Sequence, residues 1–112
     1  MTLLPGDVVI LDFVGATGVK RRPAVIVSSD EYNQSHLDVV LGVLTTSIRL
    51  ATTSADHVLK DWKSAGLRQP SAFRSYFSMA MPSEVSVIGH LSNADRSEVQ
   101  NCVKHAVAIK SV

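Results

Sequence analysis

Apolar residues fall along this chain in short runs, and the period of each run decides the element it predicts. Val8-Val9-Ile10-Leu11-Asp12-Phe13 follows the turn signal Gly6-Asp7 and is β-branched, aromatic and too short to favour a helix, so it reads as a first strand. Residues 14–19, with Gly15 and Gly18, read as a flexible loop able to approach a ligand closely. A second strand is expected over 24–28, and the polar connection 29–36 has room for one helical turn. Residues 38–44 predict a third buried strand ending at Thr45-Thr46-Ser47, and 48–54 are patterned too weakly for anything but a loop. A short strand over 55–59 precedes residues 60–66, expected as a short helix stopped at Gly66 and packed on the sheet through Trp62.

After Gln69-Pro70 the stretch 71–77 alternates, placing Ala72, Arg74 and Tyr76 on one face and Phe73, Ser75 and Phe77 on the other, with Phe73 and Phe77 as an inward pair. Residues 81–84 form a turn and 85–91 the last strand. Ser92 caps a final helix with Asp95 near its positive end. Val99, Cys102, Val103, Ala106 and Ile109 make one apolar stripe for docking on the sheet, and Lys104 and Lys110 sit toward the negative end. Short sequential strands joined by tight turns predict a mainly β (α+β) fold: a curved antiparallel sheet or small barrel with a C-terminal helix.

Composition narrows the picture without naming a function. The 112 residues, 46% hydrophobic, suit a single domain over 1–112. Eleven Lys and Arg against ten Asp and Glu leave a formal charge of +1, so any nucleic-acid role has to come from local clustering. Such clustering exists: Arg21, Arg22, Arg49, Lys60, Lys63, Arg68 and Arg74 all precede position 75. One cysteine, Cys102, makes no internal disulfide and no metal cluster, and reads as a buried thiol of a reducing compartment. The first five residues lack the features of a signal peptide, and no apolar run approaches the roughly 18 residues of a membrane span, so a cytoplasmic protein is expected.

The chemistry concentrates at Lys20-Arg21-Arg22-Pro23, which runs into an apolar strand. Pro23 fixes its own φ and keeps Arg22 extended, giving a planar, permanently charged donor fork a rigid mount suited to phosphate. Taken alone, the cluster reads first as a solvated charge run, and Thr45, Thr46 and Ser47 as a strand end and a turn opening. A strand face bearing Arg74 and Tyr76 is an odd one to bury.

In order along the chain, Pro5-Gly6-Asp7-Val8-Val9, Lys20-Arg21-Arg22-Pro23-Ala24-Val25-Ile26-Val27, Val43-Leu44-Thr45-Thr46-Ser47, Ala65-Gly66-Leu67, Pro70-Ser71, Phe73-Arg74 and Gly89-His90-Leu91-Ser92 resemble the MazF/PemK-type toxins of bacterial type II toxin–antitoxin systems. The resemblance implies an SH3-like barrel with a C-terminal helix, a homodimer, and a cofactor-free, metal-independent endoribonuclease that cuts single-stranded RNA, commonly mRNA. It also implies a small antitoxin whose disordered tail fills the RNA groove, and DNA binding by the toxin–antitoxin complex. Carried over by residue, Arg22, Thr45 and Arg74 are the expected catalytic residues, Thr46 taking the role of Thr45 after a one-residue slip. Lys20, Arg21, Thr46, Ser47 and Tyr76 are expected to bind the RNA.

Some PemK-like members place an Asp two positions after the strand arginine for acid–base work, whereas this chain has Tyr76, which can donate a proton or stack on a base. The acid–base pair is therefore unassigned among Arg22, His36, His57 and His90. The short first loop points to a reduced RNA-binding element. Two other readings stay open here: a catalytically weak relative that only binds, and a gyrase poison like CcdB, against which the position of Trp62 counts.

Overall fold

The computed structural model describes residues 2–108, and within them the apolar runs become six strands and two α-helices. In chain order these are β1 (Asp7–Gly15), β2 (Gly18–Ile26), α1 (Asp30–Ser35), β3 (Val39–Thr45), β4 (Asp56–Val58), β5 (Ala72–Ala80), β6 (Ser86–His90) and α2 (Asn93–Ala106). The strands form one curled sheet, ordered β4-β5-β3-β2-β1-β6, with every described pairing antiparallel.

Both faces of that sheet are apolar, which is why the strand sequences run hydrophobic without clean alternation. Val8, Val25, Leu44 and Phe73 join Val99 and Cys102 of α2 in one core, while Val9, Leu11, Ala24, Ile26 and Leu41 form a second core on the other face. Burial pushes the Cys102 thiol up to about 11, aided by the charges of Asp56 and Glu98, so it stays a protonated core residue. No helix among the described residues is long and apolar enough to cross a membrane.

Several local expectations change. Residues 14–19 are not a flexible loop: β1 and β2 pair through to Gly15 and Gly18, leaving only Ala16-Thr17 as the turn, and Gly18 supplies the φ of +117° that the turn requires. The cationic cluster consequently lies on β2 itself. A 3-10 turn occupies Ile48–Leu50, where a plain loop is expected.

Residues 60–66 form consecutive turns rather than a helix, although Gly66 does close them. With φ +91°, it donates to Lys63 O at 3.2 Å, and Leu67 N donates to Trp62 O at 3.2 Å, the paired closure of a Schellman motif without a helix before it. The β5 alternation also breaks, because pairing with β3 jumps from Gly42↔Phe77 to Val43↔Arg74 and leaves Ser75 and Tyr76 as a bulge. Phe73 is fully buried over Gly42, where a Cβ would overlap its ring, but Phe77 is 40% exposed rather than an inward partner. In α2, Val99 and Cys102 face the core as expected, Ala106 is exposed, and Ile109 and Lys110 lie outside the described residues.

Asp95 does far more than sit favourably at a helix start. Its backbone N–H donates to the Ser92 cap at 3.2 Å, while its fully buried carboxylate accepts from Lys60 N at 2.9 Å, Asp61 N at 2.8 Å and His57 Nε2 at 2.8 Å. Burial alone would raise its pKa, but the Lys60 N–H, His57 and the Asp61 N–H outweigh burial and hold it below the usual carboxylate value.

A carboxyl depressed in the folded state stabilises the fold above its unfolded pKa, and that contribution disappears as pH falls through the folded value. Asp95→Asn is therefore expected to cost about 2–3 kcal/mol at neutral pH, the scale of hydrogen bonds to a charged group. Urea unfolding from pH 7 downward should show the gap to wild type narrowing below the ordinary carboxylate range. Parallel curves at all pH values would rule the ionised latch out.

Candidate functional site

Residues paired across antiparallel strands share a face, so the register alone arranges the polar groups. One row runs Val9, Ala24, Val43, Arg74, Asp56 across β1, β2, β3, β5 and β4. Two residues along each strand, Arg22 pairs with Leu11, and Thr45 pairs with Ala72. Arg22, Thr45 and Arg74 consequently lie on one face in adjoining rows, joined by Lys20, which pairs with Phe13.

β3 pairs with β2 only from Ala24 to Ile26, so the edge of β2 away from β1 is open before Ala24. Lys20, Arg21, Arg22, Pro23, Leu44 and Thr46 line a depression of about 420 Å³. A second, of about 160 Å³, lies among Phe13, Thr17, Lys20 and Arg22, so Lys20 and Arg22 border both. The Arg22 side chain is exposed and has no carboxylate partner among the described residues. Arg21 belongs to the opposite face, where its guanidinium lies 3.5 Å from Asp12 in an exposed pair worth at most about 1 kcal/mol.

Thr45 is half-buried, and its Oγ1 accepts from Ser47 N at 3.1 Å, which leaves the hydroxyl hydrogen to donate elsewhere. Thr46 and Ser47 are exposed just beyond it.

Arg74 is held quite differently from Arg22. Its Nη2 donates to Tyr76 Oη at 3.1 Å, and its guanidinium carbon lies 4.4 Å from the centre of the Tyr76 ring. Its Nε is 3.8 Å from Asp56 Oδ1, an ion pair too long for a hydrogen bond.

Asp56 is the residue that sequence reasoning passes over. Its Oδ2 accepts from Thr52 N at 3.2 Å, Thr53 N at 3.2 Å and Thr53 Oγ1 at 3.0 Å. The available signal was the Thr-Thr-Ser-Ala-Asp run itself, a loop rich in groups that an aspartate at its end collects.

None of the histidines joins Arg22, Thr45 and Arg74. His57 pairs with Phe73 on the other face and is engaged by Asp95. His90 meets Asp7 at 2.8 Å on the distant edge strand β6, and His36 stacks on Tyr32 with ring centres 3.8 Å apart. Among the described residues, no three His, Cys, Asp or Glu side chains gather as a metal site.

A family model described as "PemK-like, MazF-like toxin of type II toxin-antitoxin system" matches residues 4–107. Among solved structures, the chain is similar to an endoribonuclease in complex with its cognate antitoxin from a mycobacterial species, at 21% identity over 98% of this chain and 99% of that one, TM-score 0.79. A second mycobacterial endoribonuclease matches at 19% identity over 100% and 97% of the two chains, TM-score 0.76. A chain of the MazE-MazF structure from Deinococcus radiodurans matches at 16% identity over 98% and 99%, TM-score 0.72. No curated protein matches the chain by sequence. At these identities the structural likeness bears on the fold.

Because Arg22 has no carboxylate to lose, Arg22→Ala should change unfolding stability by no more than about 0.5 kcal/mol. Asp56→Ala strips three accepted hydrogen bonds from a loop and should cost about 2 kcal/mol. Urea unfolding of both variants checks this contrast; equal losses would contradict the assignment of Arg22 to ligand rather than fold.

Proposed function

The chain belongs to the PemK-like, MazF-like toxin family of type II toxin–antitoxin systems, and on that basis we propose that it is a metal-independent endoribonuclease cutting single-stranded RNA, mRNA above all. It acts in the cytoplasm as a single domain over residues 1–112, as a homodimer, and is silenced by a cognate antitoxin with which it binds DNA as a complex. Two of the structures it resembles are endoribonucleases, one of them in complex with its cognate antitoxin.

The observation that carries the proposal is the gathering of Arg22, Thr45 and Arg74 on one sheet face. Attack of a ribose 2′-hydroxyl on the adjacent phosphate builds negative charge on the phosphate oxygens, and fixed cations and donors stabilise it without reorganising. Arg22 and Arg74 supply the charge, and the Thr45 hydroxyl supplies one hydrogen bond. Lys20, Thr46 and Ser47 bind the RNA beside the scissile phosphate, with Arg21 reaching it from the other face across the depression that it borders with Lys20, Arg22 and Thr46.

The second reading, a family member that binds but barely cuts, draws support from the same face. Asp56 on that face is almost fully buried, and His57 lies on the other face, engaged by Asp95, so neither is a free proton carrier for it. Turnover separates the two. Mixed-sequence single-stranded RNA incubated in EDTA should be cut by wild type, and Arg22→Ala and Arg74→Ala should each be about 100-fold slower, the scale of removing one preorganised charge contact. A folded wild type that leaves the RNA intact would transfer the assignment to the binding-only relative.

A further inference from the structure

We propose that Tyr76 and Asp56 are positioning residues that aim Arg74, neither contacting the RNA base nor carrying the proton; the proposal rests on the nuclease reading above. A free arginine gives up about 2 kcal/mol of rotamer entropy when it is ordered, so a site that holds it beforehand is spared that cost at the moment of reaction.

Arg74 is constrained on three counts. The Tyr76 ring lies 4.4 Å from its guanidinium carbon, the Tyr76 hydroxyl accepts from Nη2 at 3.1 Å, and Asp56 Oδ1 stands 3.8 Å from Nε. Tyr76 engages Nη2 and Asp56 stands nearest Nε, which leaves Nη1 without a partner among the described residues and able to donate to a phosphate. Asp56 cannot itself reach a substrate, since its side chain is 6% exposed and its Oδ2 already accepts three hydrogen bonds.

The two arms of this clamp are tied to each other. Tyr76 reaches Arg74 from the two-residue bulge in β5, and the bulge is pinned where Ser75 Oγ donates to Ala55 O at 2.7 Å, one residue before Asp56. The carboxylate and the phenol are therefore tied to each other as well as to the arginine.

Tyr76→Phe keeps the ring for any base stacking and removes only the acceptor, and Tyr76 is exposed enough that the fold should tolerate it. The expected result is a fall in kcat of about tenfold, the loss of one charge-assisted contact, with KM nearly unchanged. Full activity in Tyr76→Phe combined with a raised KM in Tyr76→Leu would assign Tyr76 to the RNA and overturn the proposal. Asp56→Asn should lower the plateau of the kcat pH profile and leave its shape intact; loss of the acidic limb would make Asp56 a proton carrier and likewise overturn it.

One arm is independent of turnover. In RNA-free protein the Arg74 Nε–Hε NMR signal should be distinct and slow to exchange, and should shift and exchange faster in Tyr76→Phe. An unchanged signal means there is no clamp. A protein that never cuts RNA yet shows this shift retains the clamp and loses only the nuclease reading.

Discussion

The Asp95 carboxylate accepts from Lys60 N, Asp61 N and His57 inside the protein. An ion there costs several kcal/mol unless donors surround it, so residues 57–61 have no freedom to drift while the fold persists. That matters because β4 is only three residues long and sits at the sheet edge, too short to hold itself by ladder bonds alone. His57 carries the latch on one face of β4, and Asp56, its neighbour, points to the other face beside Arg74. The helix start is thereby coupled to the arginine through a single strand residue.

The two arginines of the site face are ordered by opposite means. Arg22 takes its direction from the backbone, with Pro23 extending it and strand pairing on β2 fixing its face, while its guanidinium has no carboxylate partner. Arg74 takes its direction from side chains, a phenol and a buried carboxylate. The first arrangement leaves the full charge available; the second offsets part of it but gains a defined edge. With Lys20 beside Arg22, the face carries concentrated positive charge in a chain whose formal balance is only +1.

What was legible in the sequence followed from local rules. The strand runs, the Ser92 cap, the Gly66 stop and the mount at Arg22-Pro23 each depend on residues within a few positions of one another, and each appears in the structure. The misreadings came from distant partners. His57 and Asp95 are 38 residues apart, Ser75 and Ala55 are 20 apart, and no periodicity encodes such pairs. The expected helix at 60–66 gives way to turns whose N–H groups donate to Asp95, a partner that residues 60–66 do not contain. The hairpin at 14–19 shows the same limit: its glycines signal a turn, but only cross-strand pairing shows that the turn is two residues long.

The β5 bulge shows most directly how packing displaces a local pattern to build the site. Strict alternation would have buried Phe77 with Phe73, yet Phe73 alone fills the space over Gly42, where any side chain would collide with its ring. The register slips by two residues, which leaves Phe77 on the same face as Phe73 but 40% exposed, and Tyr76 lies in the bulge against Arg74. Exposing part of a phenylalanine forgoes burial worth about 25 cal/mol per Å² of apolar area. A carboxylate at position 76 would neutralise Arg74 from the solvent side, whereas a phenol orients it and leaves its charge intact. In the proposed site, catalysis rests on placed positive charge, and the proposed clamp would turn a flexible cation into a placed one.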